Sequence, residues 1–110
     1  MAYETKQDAG LVLLLGKGGI GLRGIVVAVG IQGESGAAPK DAFDEELERR
    51  LLEIGFVEGA NVEILHEGFL GKDPIAVRVD DMSVALRRRE ANAILVRMIS
   101  GDRADQQKDQ

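Results

Sequence analysis

The chain has 110 residues, a formal net charge of −5 and no cysteine, a length that suits one compact domain and not two. The acidic balance disfavours nucleic acid and anionic lipid as partners. The lack of cysteine excludes disulfides, thiolate metal sites and a thiol nucleophile.

Both ends of the chain are polar and lack apolar periodicity, which predicts disordered tails at 1–10 and 100–110 around one domain at 11–99. The longest apolar run, Leu11–Leu15, is far shorter than the roughly 20 residues that a bilayer-spanning helix needs. No basic stretch precedes this run. We therefore expect neither a membrane span nor a cleaved signal peptide.

The glycine-rich segment Gly16–Gly21 follows the first apolar run and fits the pattern GxGxxG. It also resembles the opening of deviant Walker A loops. Both kinds of phosphate-binding loop need a helix behind the glycines. Only three residues separate Gly21 from the predicted strand Ile25–Val29, so no helix fits. We interpret the segment as a turn, and a nucleotide-binding regulator is the remote alternative.

One amphipathic helix is predicted after a mobile loop at 30–41, with Asp41 as its N-cap. Its apolar residues recur at spacings of four, four and three, which places them on one face that we expect to cover the core. Gly55 follows at a position typical of a left-handed C-terminal cap, where a side chain would cost about 1 kcal/mol. The stripe consists of Phe43, Leu47, Leu51 and Ile54.

The second half of the chain reads as short strands with alternating apolar residues. The predicted strands are Ala60–His66, Ile75–Val79, Ser83–Leu86 and Ile94–Met98, with about one helical turn before the last. Together with Ile25–Val29 they predict a mainly β protein with one or two short helices, a small SH3-like β-barrel. A βαβ sandwich is disfavoured because the strands cluster after the helix.

Several segments resemble the FeoA family of ferrous-iron transport proteins. The run Glu48–Ile64 (ERRLLEIGFVEGANVEI) is similar to the family's helix, glycine stop and following strand, with Gly55 and Gly59 at its two glycine positions. Leu70–Val79 (LGKDPIAVRV) resembles an LGDPI segment. Further matches are Gly21–Val26, Ser83–Arg87, Glu90-Ala91 and Ile94–Val96. The chain departs from the family pattern at Glu58, where proline is usual, and at Asp81, where glycine is common.

The resemblance implies a cytoplasmic, non-enzymatic accessory protein that binds and modulates FeoB, the membrane iron transporter. It would reach the inner membrane only through that partner. The alternative is an SH3-like regulatory or peptide-binding domain of an iron-responsive system. No required cofactor is implied. The residues agree with a non-enzymatic role, since no carboxylate pair is isolated and no serine lies in a nucleophile motif.

Two groups of residues are candidates for contact with a partner. Large apolar side chains at strand and loop junctions are hard to bury completely, and they could edge a shallow groove. The only local basic cluster could meet an acidic patch on a partner, although a solvated face is the simpler interpretation. These candidates are Phe56, Val57, Phe69 and Leu70 for the groove, and Arg87, Arg88 and Arg89 for the basic contact.

A candidate metal site is formed by His66, the only histidine, with Glu67 beside it. Imidazole and carboxylate are acceptable ligands for ferrous iron. On a regular strand these neighbouring side chains point to opposite faces, while Glu63 and Glu67 share one face. Convergence therefore requires that the strand end or bulge there.

Overall fold

The computed structural model describes residues 10–30 and 42–99, and of Ala42 and Phe43 only the backbone. The predicted tails and the predicted loop at 30–41 fall almost wholly outside the described residues. The predicted cap at Asp41 and the side chain of Phe43 also lie outside them.

The described residues form one six-stranded antiparallel sheet with two short helices, which confirms the predicted mainly β class. The strand order across the sheet is β1-β6-β2-β3-β4-β5. Because β1 pairs with β6, the first apolar run contributes an edge strand that the sequence did not reveal. The strands are β1 Val12–Leu14, β2 Arg23–Val29, β3 Asn61–Leu70, β4 Asp73–Val79, β5 Met82–Leu86 and β6 Ile94–Met98; the helices are α1 Ala42–Ile54 and α2 Arg88–Ala91, and a 3-10 turn spans Leu15–Lys17.

A single apolar core joins the inward faces of the strands to the helices. In the described ranges it contains no buried polar or charged residue. The alternation of β4 is confirmed, since Ile75, Val77 and Val79 are all buried. The largest side chains that are almost fully enclosed are Phe56, Leu15, Leu51, Ile64, Ile75 and Ile94.

Helix α1 covers this core and ends where the sequence predicts. Leu47 and Leu51 are buried, and Ile54 packs partly buried against the core. The N–H of Gly55 donates to Leu52 O at 3.1 Å, and the N–H of Phe56 donates to Leu51 O at 3.0 Å. These are the two hydrogen bonds of a Schellman cap, and Gly55 has the positive φ of 128° that the motif requires.

Gly59 directs the chain from this cap into the sheet. Its φ of 94° is one that residues other than glycine rarely adopt. Its N–H donates to Val26 O at 2.8 Å, and the next residue, Ala60, accepts from the N–H of Val26 at 2.9 Å. Both glycines thus adopt positive φ values at the turns where the sequence predicts structural roles for them.

Strand β3 is longer and less regular than predicted. Opposite β4, the register shifts between Ile64 and His66, so Leu65 is an extra residue that forms a β-bulge. A second shift lies between Glu67 and Leu70. A one-residue slip exchanges the two faces of a strand. Glu67 consequently pairs with buried Ile75 and points to the core side.

Candidate functional site

A two-residue turn joins β3 to β4, and beside it lie the most exposed of the large apolar side chains in the described residues. Leu70 pairs with Asp73, and the intervening Gly71 and Lys72 have φ values of 71° and 62°. Two successive positive φ values are typical of a type I′ hairpin turn. Phe69 is 101% exposed and Leu70 is 85% exposed. We call residues 69–72 the hairpin tip.

The predicted groove of four apolar residues is not formed. Phe56 is completely buried, so its prediction as an exposed groove edge is wrong. The reason is the Schellman cap, in which the residue after the glycine commonly packs back onto the helix. Val57 is 46% exposed, but it lies before β3 while the hairpin tip lies at the other end of that ten-residue strand. Only Phe69 and Leu70 remain together as an apolar pair.

Arg88 does not point to solvent as a member of a basic patch. Its guanidinium donates to Gly16 O at 2.9 Å and to Gly18 O at 2.7 Å through Nη1. Nε donates to Lys72 O at 2.9 Å, and Nη2 donates to Glu67 Oε2 at 2.9 Å. Because these bonds occupy the guanidinium, the prediction of Arg88 as a partner contact is wrong.

The neighbouring arginines remain outward. Arg87 and Arg89 are both exposed. The main-chain N–H of Arg87 donates to Glu90 Oε1 at 2.9 Å, which caps the first turn of α2. Since the N–H of Arg88 donates to Asp73 Oδ1 at 2.9 Å, this turn touches the base of the hairpin tip. The basic cluster is therefore split into one internal side chain, that of Arg88, and two exposed ones, those of Arg87 and Arg89.

His66 and Glu67 are not brought together. The bulge at Leu65 turns Glu67 toward the core side, while exposed His66 pairs with Ala76 on the outer face. Glu67 is moreover bound to Arg88. Within residues 10–30 and 42–99, three or more potential metal-ligating side chains of His, Cys, Asp or Glu nowhere cluster. The geometry thus does not fit the predicted metal pair.

The Gly16–Gly21 segment lacks the geometry of a phosphate-binding loop. No helix follows it, since the chain enters β2 at Arg23. The carbonyls of Gly16 and Gly18 face the Arg88 guanidinium, whereas a phosphate cradle presents N–H groups. The N–H groups of Gly18 and Gly21 already donate to Leu15 O and Ile64 O. The interpretation of the segment as a turn is confirmed.

A shallow cleft of about 330 Å³ lies on the outer face of β3. Three of its four charged side chains make polar contacts inside the cleft, and Arg23 is the fourth. Arg78 forms an ion pair with Glu63, and Asp80 accepts a hydrogen bond from the main-chain N–H of Asn61 at 3.1 Å. The cleft therefore offers less unsatisfied binding surface than the hairpin tip.

These features define a class of protein: a small SH3-like β domain with one exposed apolar hairpin tip. Neither helix in residues 10–30 and 42–99 has the length and apolar content to span a bilayer. The sequence matches the model of the FeoA domain over residues 19–98. The chain belongs to the FeoA domain family, whose members are accessory domains of ferrous-iron transport and not enzymes.

Individual relatives agree with this assignment. FeoA from Stenotrophomonas maltophilia, solved in complex with zinc and described as a prokaryotic SH3 domain protein, is 27% identical. It superposes with a TM-score of 0.61 over 80% of this chain and 96% of that one. FeoA from Chlorobium tepidum is 28% identical with a TM-score of 0.62, over 84% of this chain and 75% of that one.

A larger relative joins two proteins in one chain. It is a Porphyromonas gingivalis fusion of Fe(2+) transport protein A and the Fe(2+) transporter FeoB, 39% identical over 54 residues. The match covers 49% of this chain but only 6% of the fusion protein. It therefore lies within a small part of that much longer protein.

Proposed function

We propose that this protein is a cytoplasmic accessory factor of ferrous-iron uptake that binds a FeoB-type transporter and modulates it through protein contact. The FeoA family assignment and the covalent union of the two components in the P. gingivalis relative support this role. Fusion gives two domains a high effective concentration, which is useful where they work in contact. The protein reaches the inner membrane through the transporter and requires no cofactor.

The hairpin tip is the proposed contact surface, and the exposure of Phe69 and Leu70 is the observation that carries it. Aromatic side chains that enter a pocket on a partner supply much of the binding energy of protein interfaces. Arg87 and Arg89 are exposed on either side of Arg88, whose main-chain N–H contacts Asp73 at the base of the tip, and they add an electrostatic contact to an acidic region of the transporter. Val57 lies at the opposite end of β3 from the hairpin tip and is left out of the surface.

The test is to measure binding to the FeoB-type transporter of the same organism, held in lipid nanodiscs, by biolayer interferometry. The double variant Phe69→Ser/Leu70→Ser is expected to bind at least about tenfold more weakly, since loss of one hot-spot side chain costs about 2 kcal/mol or more. Leu52→Ser is the matched control, because Leu52 is 42% exposed on α1. It should bind like the wild type.

Two outcomes would contradict the proposal at different levels. If the wild-type protein does not bind the transporter, the accessory role through contact is wrong. If it binds and the double variant binds equally well, the hairpin tip is the wrong surface. Reversal of charge at Arg87 and Arg89 should also weaken binding and reduce its dependence on salt concentration.

A further inference from the structure

Phe69 and Leu70 have no packing of their own that would fix their direction. Both are almost fully exposed, so the backbone of the hairpin alone sets where they point. That backbone is irregular at this place, because the ladder between β3 and β4 shifts register twice between Ile64 and Leu70. A shifted ladder leaves residues unpaired and locally weakens the strand pairing. Some other interaction must hold the tip in one orientation.

Arg88 supplies that interaction from outside the hairpin. Its side chain binds β3 through Glu67 Oε2 at 2.9 Å and the turn through Lys72 O at 2.9 Å. Its main-chain N–H donates to Asp73 Oδ1 at the start of β4, at 2.9 Å. Phe69 and Leu70 lie between these attachment points. The same side chain is fastened to the body of the domain through Gly16 O and Gly18 O.

The arrangement requires a guanidinium. The four hydrogen bonds are donated by the three guanidinium nitrogens, Nε, Nη1 and Nη2. These nitrogens lie in one plane and their N–H groups point in different directions, which is the rigid donor geometry of arginine. A lysine ammonium is a point charge with three donors on one atom and could reach only part of this set. The side chains of Arg88 and Glu67 are 21% and 17% exposed, so solvent screens their ion pair less than a surface pair.

We propose that Arg88 is a positioning residue for the hairpin tip: it does not touch the partner, and it holds Phe69 and Leu70 in the orientation that binds. This inference rests on the proposed function of the tip. Without Arg88 the tip samples several orientations, of which only a fraction is competent to bind. The apparent dissociation constant then rises by the inverse of that fraction.

The experiment compares Arg88→Met and Arg88→Lys with the wild type, and Arg87→Met, from the exposed part of the same run, is the matched control for the order of the hairpin. Backbone ¹⁵N relaxation reports the order of residues 67–73 in each free protein. Interferometry with the nanodisc-held transporter reports association and dissociation rates. Thermal unfolding followed by circular dichroism identifies a temperature at which all variants are folded, and both measurements are made at that temperature. Should Arg88→Met not fold, Glu67→Gln, which loses one charged acceptor, takes its place.

The expected result for Arg88→Met is increased mobility confined to the hairpin and an association rate reduced by about tenfold, with an unchanged dissociation rate. A direct contact would instead be lost in the bound state, which raises the dissociation rate. Arg88→Lys should lie between the wild type and Arg88→Met in both measurements. The control Arg87→Met should leave hairpin order unchanged.

Either of two results would overturn the inference. The first is a hairpin as ordered in Arg88→Met as in the wild type. The second is a mobile hairpin with unaltered association. Both are distinct from failure of the proposed function, in which Phe69→Ser/Leu70→Ser itself binds normally or the wild type does not bind.

Discussion

Phe56 and Phe69 offer a controlled test of the fold, because they are the same residue type in opposite environments. Phe56 is 0% exposed and Phe69 is 101% exposed. A buried phenylalanine removes on the order of 150 Å² or more from water. At about 25 cal/mol per Å² this amounts to roughly 4 kcal/mol. That value lies within the range of about 3–5 kcal/mol found when core phenylalanines are truncated to alanine.

We therefore expect Phe56→Ala to lose roughly 4 kcal/mol, a large share of the total stability of a small domain, which is typically about 5–15 kcal/mol. Phe69→Ala should leave the unfolding midpoint unchanged. Urea unfolding followed by circular dichroism measures both, and equal slopes for the two variants show that the comparison is one of stability alone. If Phe69→Ala destabilised the protein as much as Phe56→Ala, the hairpin tip would be packed against the domain, and both the fold and the proposed surface would be wrong.

Three further predictions concern individual positions. Gly16→Ala should destabilise the protein by about 1–3 kcal/mol, because a Cβ there overlaps the Arg88 carbonyl, whereas at Gly19 its nearest neighbour is 3.9 Å away and the same change should have little effect in thermal unfolding. Gly55→Ala should cost about 1 kcal/mol in the same assay because of its positive φ, and an unchanged midpoint would contradict the left-handed cap. Calorimetric titration with ferrous iron should give the same result for wild type and His66→Ala; loss of binding in the variant alone would show that the predicted metal pair does form.

The regular parts of the fold were predictable from sequence because their signals are local. The alternation of Ile75, Val77 and Val79 identifies a strand with one buried face, and the structure confirms it. Gly55 after an apolar stripe likewise predicts the end of α1. Each of these patterns depends on neighbouring residues and backbone geometry only, so no knowledge of the rest of the chain was needed.

The difference in exposure between the two phenylalanines was not predictable from their immediate neighbours, since each directly follows a glycine. Gly55 ends a helix and turns Phe56 back toward Leu51, while Gly68 lies in an irregular strand that carries Phe69 away from the core. A signal for the first case did exist, because the residue after a Schellman glycine commonly makes an apolar contact with the last helical turn. The exposure of Phe69 depends on the length of β3, which continues to Leu70. The sequence did not predict this length, because the glycines at 68 and 71 suggested that the strand ends earlier.

The bulge at Leu65 explains why one arginine of three is internal. In a regular strand Glu67 would share a face with Glu63, whose partner Arg78 lies on the exposed outer face. The extra residue turns Glu67 inward instead, where a carboxylate needs a charged partner because burial without one is costly. Arg88 is the cation that reaches it, and the remaining donors of Arg88 bind the main-chain carbonyls of Lys72, Gly16 and Gly18. One inserted residue in β3 thus determines the role of a side chain more than twenty positions later, and through it the support of the hairpin tip.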